Sequence, residues 1–228
     1  MAKIMIITAH PGDFVWRSAG TIAKHVKQGI DVNILSITAG ARGEAPKLWK
    51  SPETALEEVV AKRSAEAEAA ADILGAKLKI IGLDDFPIVP SEALYSEVAE
   101  AMRSCDPDIV VTHTPRDGTN LDHVVTHETA VRARMMVTSP GRGYRTIKAP
   151  PFICFEPHYP EHSGFVPNLL IDISDVWDLK RKAIEATPSQ GNLWDYYLRL
   201  AEQRGMHAGV KYAEAFQRLD CDVRASFL

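Results

Sequence analysis

Cysteine is scarce in this 228-residue chain, and its three copies, Cys105, Cys154 and Cys221, are odd in number and far apart. That excludes a disulfide framework and a CxxC metal pattern, and it fits a reducing cytoplasm. Long hydrophobic runs are missing too. The first apolar segment, after Lys3, is too short for a signal core or for the ~20 residues of a membrane span, so neither export nor a membrane partner is expected. An excess of positive charge is also absent, because 26 lysines and arginines are scattered among 30 aspartates and glutamates, for a formal charge of -4. Such a chain offers no basic field to nucleic acid. No GxGxxG follows the first apolar run, so no dinucleotide cofactor is inferred.

What is present is an ordinary globular composition, 46% hydrophobic and 25% charged, at a length suited to one α/β core over residues 1–228. Apolar strand patterns at 4–8, 32–37, 78–83, 109–112, 152–155 and 169–173 alternate with helical patterns at 16–28, 52–74, 91–104, 123–137, 174–185 and 193–204. Gly29 and Gly75 stop the first two helices, and Ser91 caps the third. This alternation implies right-handed crossovers and a Rossmann-like three-layer α/β/α sandwich with a mostly parallel sheet. The stretch 38–52 reads as a long loop at a strand's carboxyl end, and 140–151 as a connection rich in Gly, Pro and Arg.

Ala9-His10-Pro11-Gly12-Asp13 follows the first strand, at the sheet edge where open α/β folds collect binding sites. Imidazole and carboxylate there suit zinc or a divalent metal of similar preference, iron, cobalt or manganese among them. A plain turn with Asp13 as a helix cap is the alternative. Strand four ends at His113, and its loop leads to Asp122, His123 and His127 on the same edge. His10, Asp13 and His123 can therefore meet as a metal set with open water positions, and bound zinc brings water's pKa to about 7. His123 and His127 stand four apart, the zincin spacing, but the glutamate base of that motif is missing, and His127 reads as structural. His113 reads either as a support for the ligands or as a strand end.

Taken together, the Ala-His-Pro-Gly-Asp turn, the loop Thr38-Ala39-Gly40-Ala41-Arg42-Gly43-Glu44, the Arg63-Ser64-Ala65-Glu66 helix ending in Leu74-Gly75, and Asp122-His123 resemble the PIG-L or LmbE-like zinc deacetylases. Ser189-Gln190 and Tyr212-Ala213-Glu214 extend the similarity. The resemblance implies zinc on His10, Asp13 and His123. Two positions depart from it: Gly12 stands where those deacetylases carry an aspartate general base, and Asn120 where they carry a histidine. Neither replacement can move a proton as the original would. The run Asp13-Phe14-Val15-Trp16-Arg17-Ser18-Ala19-Gly20 and the triplet Arg42-Gly43-Glu44 are similar instead to the PIG-L-fold hydratases of gallate and protocatechuate breakdown. Those enzymes hydrate 4-oxalomesaconate, also called 4-carboxy-2-hydroxymuconate. This narrower resemblance implies that Glu44 positions and activates the metal-bound water and that a late histidine is the acid, His158 first and His162 second. It also implies a homo-oligomer, a trimer or a hexamer.

Hydrating a carbon-carbon double bond conjugated to a carbonyl needs an activated water, a carboxylate to orient it and a proton donor to the adjacent carbon. A small-molecule substrate with several carboxylates also needs cationic partners, best supplied as forked guanidinium groups. Arg17, Arg42 and Arg116 are the clamp candidates. The expected function is a metal-dependent hydratase of an unsaturated oxo-carboxylate. Alternatives are removal of an N-acyl group from an amino sugar, with Glu44 as base, and a metal-stabilised binding module without turnover.

Overall fold

The computed structural model describes residues 1–220, and Cys221 lies outside the described residues. Seven strands, β1 (Lys3–Thr8), β2 (Asp31–Thr38), β3 (Lys77–Leu83), β4 (Ile109–Thr112), β5 (Phe152–Phe155), β6 (Leu169–Asp172) and β7 (Ala213–Arg218), form one sheet in the order β3-β2-β1-β4-β5-β7-β6. The first five are mutually parallel, and β7 runs antiparallel to both β5 and β6. Helices α1 (Pro11–Lys27), α2 (Leu56–Leu74), α3 (Glu92–Cys105), α4 (Leu121–Thr138), the single turn α5 (Pro160–Ser163), α6 (Trp177–Glu185) and α7 (Trp194–Ala208) connect them.

Successive side chains of a strand point to opposite faces, and β1 shows the consequence. Ile4 and Ile6 enter a core shared with α1, α2, α6 and α7, whereas Met5 and Ile7 enter a second core shared with α3 and α4. The result is the three-layer sandwich expected from the alternating pattern, with a central strand apolar on both sides. From β1 the chain builds β2 and β3 on one side and then returns to the other as β4. The carboxyl ends of β1 and β4 therefore flank the switch point at which open sheets form a crevice.

Several element ends differ from the sequence expectation for local reasons. Helix α1 begins at Pro11, whose missing N–H would find no partner in the first turn anyway, so the buried Phe14 and Val15 are already helical. Helix α2 starts at Leu56, beyond the turns around Pro52, and ends at Gly75 with φ of 72°. Strand β7 was not anticipated, since Ala-Glu-Ala-Phe-Gln-Arg has little strand propensity. Its Glu214 is buried against Lys180, Oε1 to Nζ 2.6 Å, and Phe216 packs in the core. Cys105 and Cys154 are free thiols. Among the described residues no helix is long and apolar enough to cross a membrane.

Candidate metal centre

His10 is the extended residue just before α1, and Asp13 in the helix's first turn reaches back, its Oδ2 accepting the His10 N–H at 2.9 Å. This backbone cap holds both side chains at the end of β1. His123 projects from the first turn of α4, whose start is fixed by Asn120 Oδ1 accepting the Asp122 N–H at 3.0 Å. Glu44 arrives from the loop after β2. The N–H groups of Ala41, Arg42 and Gly43 in that loop wrap around the Asp85 carboxylate at 2.9 to 3.1 Å. Donor atoms of His10, Asp13, Glu44 and His123 thus lie within 4.8 Å of one another.

Two carboxylates behind the histidines decide how the rings are presented. His10 Nε2 is 3.3 Å from Asp122 Oδ2, and His123 Nδ1 is 2.8 Å from Asp117 Oδ2. An ionised carboxylate only accepts, so those nitrogens carry the hydrogens, and in the neutral rings that a metal binds the opposite ones, His10 Nδ1 and His123 Nε2, are the free donor atoms. Both of these nitrogens are buried and, among the described residues, make no hydrogen bond. His10 Nδ1 sits 3.2 Å from Glu44 Oε1 and 3.6 Å from Asp13 Oδ2, while His123 Nε2 sits 3.2 Å from Asp13 Oδ1. Ring nitrogens facing carboxylate oxygens need a positive charge between them, a proton or a cation, and with four such donor groups converging on one point the set fits a divalent metal of the zinc type.

The supporting acids are themselves held. Asp122 accepts the N–H groups of Phe86 and Ile88 at 2.9 and 2.8 Å. Burial alone would raise the Asp117 pKa, but hydrogen bonds from His123 and Thr119 hold its carboxyl well below the ordinary range. Such partners fix tautomer and orientation of metal-binding histidines. In the sequence nothing marks Asp117 as a partner of His123, and Asp122 stands out only as the neighbour of His123.

The other histidines divide clearly. His113 stacks on His123 with centroids 4.1 Å apart, accepts the Ala9 N–H at Nε2, and is pushed down to about 3 by burial and then by His123, so it is a neutral support. His127 lies with Nδ1 2.7 Å from the His113 carbonyl oxygen, the structural role expected of it. His158 lines a cavity of about 230 Å³ together with Asp13, Arg17, Glu44, His123 and Tyr197. His162 is exposed and outside that lining.

Of the three clamp candidates only Arg17 lines the cavity. Its Nε is 3.3 Å from Asp13 Oδ1, and its Nη1 donates to the Glu156 carbonyl at 3.2 Å. Arg42 does not belong to the site: its side chain is 43% exposed and its Nε pairs with Asp84 at 2.7 Å, because the loop turns it outward around Asp85. Arg116 is exposed as well, since the adjacent Asp117 turns inward to His123.

A family model described as PIG-L, GlcNAc-PI de-N-acetylase, matches residues 5–134, from β1 into α4. The chain is 36% identical over 225 residues to a 4-oxalmesaconate hydratase of Pseudomonas putida, with 93% of this chain and 87% of that one covered. It is 30% identical to a diacetylchitobiose deacetylase of Thermococcus kodakarensis, with 94% and 82% covered. Among solved structures, GalB, the 4-carboxy-2-hydroxymuconate hydratase from Pseudomonas putida KT2440, matches with a TM-score of 0.96 and 34% identity over 100% of both chains. An N,N'-diacetylchitobiose deacetylase from Pyrococcus horikoshii shares the fold at a TM-score of 0.82 and 24% identity, over 95% of this chain and 83% of that one. On the family match and these relatives, the chain belongs to the PIG-L family.

Proposed function

We propose that the protein is a metal-dependent hydratase that adds water to 4-oxalomesaconate, or to a closely similar unsaturated oxo-carboxylate. The observation that carries this reading is the combination of Gly12, which offers no carboxylate beside Asp13, with Glu44, whose Oε1 faces the donor cluster 3.2 Å from His10 Nδ1. The likeness to the Pseudomonas putida hydratase, over nearly the whole of both chains, supports it.

His10, Asp13 and His123 hold the cation, zinc first, with iron(II) or cobalt(II) as substitutes. When bound, the metal polarises water and lowers its pKa toward neutrality. Glu44 accepts the proton of the attacking water. Arg17, on the cavity wall beside Asp13, binds a substrate carboxylate. His158, packed on Tyr196 with ring centroids 4.2 Å apart, gives a proton to the carbon next to the one that receives oxygen. One carbon gains OH and its neighbour gains H, with no change of redox state, and solvent exchange restores Glu44 and His158.

The proposal includes a cytoplasmic homo-oligomer, a trimer or a hexamer, which sedimentation equilibrium measures directly. A second reading, N-acyl deacetylation with Glu44 as base, draws support from the deacetylase relative at 30% identity. Incubating metal-loaded protein with 4-oxalomesaconate and with N,N'-diacetylchitobiose separates the two. Consumption of the double bond is expected, and acetate release without it favours the second reading.

A further inference from the structure

Gln190, in the 3-10 turn Pro188–Leu193, fills the space over Gly12. A Cβ built on Gly12 would lie 2.8 Å from Gln190 Nε2 and 2.9 Å from its Cδ, and nearer still to Oε1, closer than real Cβ contacts allow. The carboxamide has one possible orientation. Its Oε1 is 3.1 Å from Arg63 Nη2, which can only donate, so its NH2 faces Glu44 Oε2 at 2.8 Å.

Arg63 is itself buried and immobilised. Its Nε donates to the Ala39 carbonyl at 3.3 Å and its Nη1 to Ser189 Oγ at 2.8 Å, while the Ser189 hydroxyl donates to Glu66. Glu44 therefore has Oε2 committed to Gln190, and only Oε1 is turned toward His10. Without the amide, Glu44 has no neutral donor on Oε2 and can rotate toward Arg63 Nη2, now 3.6 Å away.

We infer that Gln190 is the positioning residue for Glu44, and that Gly12 leaves the space in which its carboxamide stands, so that a side chain at position 12 shifts the amide that holds Glu44. The effect on turnover rests on the hydratase reading; the coupling of Gly12 to Gln190 does not.

Two sets of variants of the full chain test this. Gln190→Glu preserves size and the Arg63 contact but replaces the donor facing Glu44 with an acceptor. In metal-loaded protein, Gln190→Glu and Gln190→Leu are expected to lower kcat about 10- to 100-fold, the worth of a hydrogen bond to a charged group, with KM changed less than about 2-fold. Neither is expected to matter further in a Glu44→Gln background. In metal-free protein, Gly12→Ala is expected to lower Tm, and the penalty is expected to vanish in a Gln190→Ala background, where the space is cleared. A wild-type kcat in Gln190→Glu, or a Gly12→Ala penalty that persists in Gln190→Ala, would overturn the inference. If the wild type fails to consume 4-oxalomesaconate, the hydratase reading falls, and the melting cycle still decides the Gly12–Gln190 coupling.

Discussion

Asp117 Oδ2 lies 2.8 Å from His123 Nδ1, and this hydrogen bond turns Nε2 toward Asp13. Asp122 does the same for His10 from the other side. The ring nitrogens turned toward the donor cluster are therefore set by two carboxylates that stand outside it.

His123→Ala is expected to lose most of the bound metal, and Asp117→Asn, which no longer enforces the tautomer, to weaken metal binding about 10- to 100-fold. Elemental analysis of dialysed protein checks both. Stoichiometric metal in His123→Ala would remove that residue from the ligand set.

Glu44→Gln keeps the shape of the loop and the contact to Gln190, so metal content and Tm are expected to stay at wild-type values. The kcat should fall about 10²- to 10⁴-fold, the contribution of a general base. Loss of metal along with activity would make Glu44 a ligand instead of a base.

Burial, and then the nearby Arg17, hold the pKa of His158 below the usual histidine value of about 6.5. A proton donor works only while protonated, so kcat/KM should fall as pH rises through that lowered pKa. His158→Gln should be slower and should lose this limb. A wild-type profile flat between about pH 5 and 8 would exclude His158 as the acid.

Arg17→Ala is expected to raise KM about tenfold or more, because it removes the guanidinium that lines the cavity. Arg42→Ala should leave kcat and KM within about twofold, since an exposed pair with Asp84 carries little. Steady-state kinetics of the two variants, with metal content measured alongside, distinguishes these roles.

The inner strands were legible because a parallel sheet covered on both faces demands continuous apolar runs, and Ile109–Thr112 falls where its four residues read as a strand. Strand β7 was not, because its place is set by pairing with β5 and β6 and by Lys180 reaching Glu214 from α6, which no local pattern carries. In the candidate centre, His10, Asp13 and His123 stand out in the sequence as ligand types at strand ends, and the fold brings their donor atoms together. Asp117 was not, being an ordinary acidic loop residue until the fold brings it to a ring nitrogen. Arg42 misled for a related reason. Two residues from Glu44 in sequence, it is turned the other way by the three N–H groups that wrap Asp85 and by Gly43 lying against the Phe86 ring. Gly12 showed in sequence only as a missing carboxylate, and the structure gives that space to Gln190.

The central claim is tested most directly by steady-state turnover of 4-oxalomesaconate after metal removal and stoichiometric zinc reconstitution. The account predicts saturable loss of the double bond and formation of the hydrated product, absent in the metal-free protein and restored on reloading. Reconstituted protein that binds zinc stoichiometrically yet leaves 4-oxalomesaconate unchanged, while releasing acetate from N,N'-diacetylchitobiose, would contradict it.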